Sequence, residues 1–308
     1  MSDVISLIVS MSACLLGGIL RKYFTFRFGG RAALRHLYNA VGSLVSAVIL
    51  FFWGGFGSAS VFTLLLGTVF GIVTALQQIT TMKAMECGPW SYTSVITSLS
   101  TLIPALSGAL IWHEELGVLQ IVGMAFMVVC LILSVDTSAD TDCRKAPLQW
   151  LLYCAVAFAC TGGISVMQKW HQTSDFRGEL NAFLVIAFFI STVYSVVMIF
   201  LSKKEPVEET DAAPAGADAA KTSHRSPRTV ALLLLVMVVS GACVAANNKL
   251  NLYLSGVMDS AVFFPLVNGG NLILTALSAL FLFRERLTGR QWIGIGAGLV
   301  AVLLLCLG

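Results

Sequence analysis

Charged positions cut the chain into long apolar stretches. No Asp, Glu, Lys or Arg occurs in 4–20, 37–82, 87–113, 116–135, 146–168, 180–202, 229–248, 260–283 or 291–308. A helix rising ~1.5 Å per residue needs about twenty apolar residues to cross a hydrocarbon layer of ~30 Å. Each stretch is about that long, and 37–82 is long enough to cross twice. The pattern predicts ten helices, near 3–22, 33–53, 60–85, 90–112, 116–135, 148–169, 179–201, 229–253, 259–283 and 289–307. Indoles favour the headgroup level, and Trp53, Trp90, Trp112, Trp150, Trp170 and Trp292 all fall at the ends of these predicted helices.

Two connections break the regularity. Residues 202–228, with Pro206, Pro214 and Pro227 around an acidic and Ala/Gly-rich middle, are too polar to bury and predict a mobile aqueous loop. The polar stretch 136–147 divides the chain into a first set of five helices, 1–135, and a second, 148–308. Shifting the sequence by 170 positions lays the third to fifth helices on the eighth to tenth: Gly71 meets Gly241, Gln77 and Gln78 meet Asn247 and Asn248, Thr101 meets Asn271, and Glu115 meets Glu285. After one inserted residue, Gln120 meets Gln291 and Gly123 meets Gly294. Matched Leu and Ala would mean little between two apolar segments, but amides, glycines and a glutamate in register predict a duplication. Because five is odd, the second copy enters the membrane from the opposite side. The expected fold class is an all-α membrane protein of two inverted five-helix repeats, an architecture that in transporters places the substrate at the repeat interface near the midplane.

Composition agrees with a bilayer as solvent: 57% of residues are hydrophobic and 11% charged, less than half the usual charged fraction of ~25%. A formal charge of +3 with no basic, aromatic-interleaved stripe argues against nucleic acid as a partner. The eight cysteines are scattered without metal-ligand spacing and read as reduced, packed thiols. The first ten residues carry no basic residue ahead of the apolar stretch, so the first helix is expected to stay in place rather than be cleaved. Zincin, nucleophile-elbow and P-loop patterns are missing, and Gly294-Ile295-Gly296-Ala297-Gly298 lies inside a span with no strand before it. An enzyme is therefore not expected, nor is a cofactor or a metal.

Sixteen of the nineteen Lys and Arg fall in one set of connections, which the positive-inside rule places in the cytoplasm, with both termini outside. The chemistry rests on polar residues deep in the spans, because an amide in hydrocarbon costs several kcal/mol unless it faces a partner or a water-filled cavity. Gln77, Gln78, Thr101, Asn247, Asn248, Asn268 and Asn271 lie near their helix midpoints and are the candidate substrate-binding residues. For any one of them, interhelical hydrogen bonding is the competing reading. Lys249 either snorkels to the interface or lines the cavity, where it would favour a carboxylate or phosphate. Glu115 and Glu285 end helices four and nine, where a carboxylate suits the positive end of the next helix, a structural role rather than proton coupling.

These segments resemble the drug/metabolite transporter superfamily, in its ten-helix EamA-like branch. The likeness is carried by Leu102-Ile103-Pro104, by Trp112-His113-Glu114-Glu115-Leu116 with Gln120 and Gly123, and by Phe283-Arg284-Glu285-Arg286-Leu287-Thr288 with Gln291 and Gly294. Gly162-Gly163 followed by Gln168-Lys169 is similar to the glycine and lysine run that ends a half's first helix. The resemblance implies alternating-access movement of small metabolites through a cavity lined by both halves, with Pro104 a structural residue of helix four. Leu274 stands where the second copy would carry its proline, and Pro265 lies nine residues earlier, so the kink in helix nine should move. Family members commonly have both termini inside, opposite to the charge count. Related small multidrug exporters use a carboxylate in their first helix; Cys14 occupies that region here, which argues against proton-coupled export of cations.

The expected function is secondary transport, with export favoured, of a small neutral, zwitterionic or weakly anionic metabolite across an inner or plasma membrane. The lipid bilayer and that substrate are the expected partners. The alternatives are a non-transporting polytopic sensor or scaffold and, further off, a membrane-embedded enzyme.

Overall fold

The computed structural model describes residues 2–28, 32–87, 93, 97, 100–113, 117–134, 148–202, 227–260, 262–264, 266–267, 269–271, 274, 278 and 289–307. Their regular structure is entirely helical. In chain order the α-helices are α1 (Ser2–Phe28), α2 (Ala32–Gly54), α3 (Val61–Cys87), α4 (Leu102–Ile111), α5 (Val118–Ser134), α6 (Leu148–Thr173), α7 (Leu180–Ser202), α8 (Pro227–Val257) and α9 (Gly289–Leu307). A 3-10 turn, Arg177–Glu179, leads into α7. The predicted linker 136–147 and most of the predicted loop, 203–226, lie outside the described residues.

Among the described residues six helices are long and apolar enough to cross a membrane: Asp3–Phe28, Ala32–Gly54, Val61–Cys87, Leu148–Thr173, Arg177–Leu201 and Thr229–Val257. They make this a multi-pass membrane chain. Their outward faces carry large apolar side chains, such as Leu64, Leu65, Val69 and Ile72 on α3 and Phe189, Val193, Val196 and Val197 on α7. Spaced by three and four residues, each set forms one stripe, which water would not tolerate and lipid does.

The helices exceed their predicted limits where charge alone had marked an end. The first span was expected to stop at 22, yet α1 runs on through Arg27 to Phe28, since a basic residue in the last turn suits the negative end of the helix dipole. Pro227 opens α8, at the one helical position where its missing N–H costs nothing. Between α2 and α3, Gly55 and Gly57 take φ of 72° and 65°, a left-handed conformation open to glycine, and turn the chain within six residues.

Packing pairs α1 with α8, α3 with α6, α2 with α7, α5 with α9, α3 with α7 and α2 with α8. Contacts along these pairs set their directions. Ser10 meets Asn247 and Asn251 while Phe24 clusters with Leu233 and Met237, so α1 and α8 are antiparallel. Thr63 faces His171 and Lys83 lies over the Tyr153 ring, so α3 and α6 are antiparallel. Asn39 meets Ser195 and Ser43 meets Ser191, so α2 and α7 are antiparallel as well. Gln168 reaches Asn248, and Gln172 packs on Gly256 one to two turns further along each helix, so α6 and α8 run the same way.

A core of Ala47, Leu50, Phe70, Phe183, Leu184, Ala187, Phe188, Ala245 and Leu252 joins α2, α3, α7 and α8. Two smaller clusters flank the centre of the bundle. Phe24, Tyr38, Met82, Leu233, Val236 and Met237 pack at one end, and Leu254, Phe263, Phe264 and Val267 at the other.

Candidate functional site

Between those clusters, α1, α3, α6, α8 and the side chains of Phe263, Phe264, Val267 and Asn271 line a cavity of about 200 Å³. Gln77 and Gln78 of α3 and Asn247 and Asn248 of α8 line it, with Asn271. Five of the amides predicted from sequence therefore converge on one space. Both helices bring two consecutive amides to one wall, because adjacent residues on a helix are only ~100° apart.

The amides differ in what they already bind. Asn247 donates through Nδ2 to the Ser10 carbonyl at 3.1 Å and to Ser10 Oγ at 3.1 Å, and Ser10 Oγ donates to Asn251 Oδ1 at 2.6 Å. This cluster ties α1 to α8 across the cavity wall. Asn248 donates to the Val244 carbonyl at 3.0 Å, leaving its Oδ1 only a long contact from Gln168 Nε2 at 3.4 Å. Gln77 reaches only Thr81 Oγ1, at 3.3 Å. The Gln78 side chain makes no hydrogen bond to a described residue, although the residue is buried.

Nine buried side-chain polar atoms of the described residues lack a hydrogen-bond partner, and three of them belong to cavity residues: Arg21 Nε, Thr74 Oγ1 and Asn271 Oδ1. An unpaired buried polar group costs roughly 1–3 kcal/mol, so such atoms normally have water or a ligand beside them. Each of these three cavity-lining residues thus keeps one buried hydrogen-bonding atom without a described partner.

Arg21 was not singled out from the sequence. Treated there as a connection charge, it lies inside α1, seven residues before its end, and lines the cavity. The signal was present as a stripe of small residues, Ser10, Ala13, Cys14 and Gly17, at helical spacing and leading to Arg21. Small side chains there leave room for the guanidinium to reach inward. Asn251, Gln168, Ser165 and Thr161 also line the cavity and were likewise missed.

Other predicted site residues lie elsewhere. Lys249 is turned away from the cavity, with its Nζ 4.5 Å from the centre of the Trp53 ring near the end of α2, because at ~100° per residue it points ~150° from the direction midway between Asn247 and Asn248. Lys249 therefore adds no charge to the cavity lining. Thr101 is 1% exposed, precedes α4 and is not among the cavity residues. Pro104 is buried in the first turn of α4, where it forfeits no helical hydrogen bond, and Ile103 beside it packs on Gly162 of α6. Asn268, Glu115 and Glu285 lie outside the described residues. Among the described residues no group of three or more His, Cys, Asp or Glu is placed to hold a metal ion.

No family model matches the chain, and no curated protein does. Among solved structures, the crystal structure of a protein superposes with a TM-score of 0.69 at 13% identity, covering 99% of this chain and 96% of that one. At that identity the likeness shows that this helical fold occurs elsewhere.

Proposed function

We propose that the chain is a secondary transporter that carries a small polar metabolite across a cell membrane by alternating access. The observation that carries this reading is the central cavity, lined by the amides matched at an offset of 170 positions, Gln77 and Gln78 with Asn247 and Asn248.

The packing supports an inverted repeat. If 1–135 and 148–308 are exchanged, α1 takes the place of α6, α2 of α7, α3 of α8 and α5 of α9. The pair α1–α8 then becomes α6–α3, α2–α8 becomes α7–α3, and α2–α7 and α5–α9 map onto themselves; each of these pairs is in contact. Helix α1 runs against α8 and α6 runs with it, so α1 and α6 have opposite directions, as do α2 and α7. Two halves of opposite sense around a shared midplane site are the arrangement in which one half rocks against the other. This fits the drug/metabolite transporter resemblance of the helix-end segments. The cavity of about 200 Å³ is smaller than the ~300–1,000 Å³ of sites for drug-sized ligands, which favours a small metabolite.

The test is release from proteoliposomes loaded with a mixed small-molecule extract, the released compounds being identified by mass spectrometry. Wild-type protein is expected to release a defined subset that protein-free vesicles retain. Gln78→Ala, which removes a cavity amide that holds no helix together, is expected to slow that release at least tenfold while the protein stays folded. Release indistinguishable from protein-free vesicles would overturn the transporter reading.

A further inference from the structure

We infer that Arg21 is the anion-binding group of the central cavity and that its occupant is a small carboxylate carrying one negative charge. The inference rests on the transporter reading for its biological meaning but on the cavity alone for its chemistry. Arg21 is the only charged side chain among the described residues that line the cavity. Every other polar lining group is a neutral amide, hydroxyl or thiol, so the walls supply one full positive charge and no carboxylate to answer it. The Nε of Arg21 is buried without a hydrogen-bond partner, the guanidinium hydrogen-bonds the Tyr38 hydroxyl, and the Cys14 thiol lies within its electrostatic reach. Tyr38 is itself held by Ser240, which fixes the hydroxyl beside the guanidinium.

A guanidinium inside a span is costly unless an anion or water meets it, and its planar fork matches a carboxylate with two parallel hydrogen bonds. One cation calls for one anionic group. A dianion would leave its second charge against neutral amides, and a cation would be repelled. The rest of the bound molecule then meets Gln78, Thr74 and Asn271, which offer both donors and acceptors, and the apolar rings of Phe263 and Phe264.

Two native cysteines permit a test that does not depend on transport. Cys14 and Cys243 both line the cavity, and both are free thiols. Purified protein in detergent is treated with anionic ethylsulfonate or cationic trimethylammonium-ethyl methanethiosulfonate. Each modification rate is read by peptide mass spectrometry and divided by that reagent's rate with a free thiol in solution. The inference expects Cys14 to favour the anionic reagent by about tenfold, the size of effect a charged cleft exerts on local ion concentration. Arg21→Lys should keep the preference and Arg21→Gln should abolish it. Acetate and lactate should slow modification of wild-type protein, whereas acetamide and lactamide, of matching shape without the charge, should not.

A preference for the cationic reagent, equal protection by the amides, or failure of both reagents to reach Cys14 would overturn the inference. If Arg21→Gln does not fold, the wild-type preference and the carboxylate-against-amide comparison still decide. Anion preference without any solute release would uphold Arg21 and remove the transporter reading. Solute release with a preference unchanged in Arg21→Gln would do the reverse.

Discussion

Asn247 and Gln78 are equivalent in kind, an amide near the middle of a membrane helix, and sequence treats them alike. Their surroundings separate them. Asn247 spends its amide on Ser10 of α1, whereas Gln78 faces the cavity with no described partner. Asn247→Ala should therefore lower stability by about 1 kcal/mol, the scale of an interhelical hydrogen bond in a membrane, measured by unfolding in mixed micelles. Gln78→Ala should lower stability by less than Asn247→Ala does, since no interhelical hydrogen bond is lost. Equal losses in the two variants would show that the hydrogen-bond cluster does not distinguish them. Residue type and depth were legible in the sequence; which amides are already paired was not, since the acceptors of the Asn247 amide lie on a helix more than 230 positions away.

Small residues on the helices permit approaches that larger ones would block. A Cβ on Gly241 of α8 would lie 2.6 Å from the Gly42 carbonyl oxygen of α2, and one on Gly71 of α3 would collide with the Ala187 carbonyl of α7. These glycines are the pair matched at an offset of 170 positions, and each sits at a close helix crossing, Gly71 of α3 against α7 and Gly241 of α8 against α2. Gly71→Leu and Gly241→Leu should each cost at least about 3 kcal/mol, the upper range for overpacking, and sharply reduce the folded fraction on size-exclusion chromatography in detergent. Gly163→Ala, with nothing within 4 Å of the added carbon, should instead be neutral or gain up to about 1 kcal/mol from helix propensity. If the two leucine variants fold as well as wild type, the close crossings are not what they are described to be. Helix existence and approximate span were readable from apolar run lengths. Helix ends were less so, because charge marks where lipid stops rather than where backbone hydrogen bonding does: α1 continues for six residues beyond its expected end.

At the scale of the whole molecule, a serine and asparagine seam joins α2 to α7 and α8. Asn39 Nδ2 donates to Ser195 Oγ at 2.6 Å, Ser43 meets Ser191 at 2.9 Å, and Ser46 Oγ donates to the Gly241 carbonyl at 2.8 Å. The seam holds the proposed halves together where apolar packing alone has little driving force in lipid. Orientation is also a property of the whole chain. Moving Arg21 from a connection into a span lowers the count on the richer side by one and leaves the asymmetry large, so a reporter fused after Gly308 is expected to be active outside the cytoplasm. Cytoplasmic activity would show that the connections lie on the opposite sides.

Apolar run length against bilayer thickness determined, without coordinates, that this is a helical membrane chain, and the register of amides and glycines between 60–135 and 229–308 pointed to a duplication. Both are local or periodic properties, which a linear string carries in full. Only the tertiary structure decided that Lys249 turns to Trp53, that Thr101 lies off the cavity and that Arg21 enters it. Those outcomes depend on which face of each helix meets a neighbour, and a rotation of ~100° per residue separates a cavity wall from a lipid-facing or packed one.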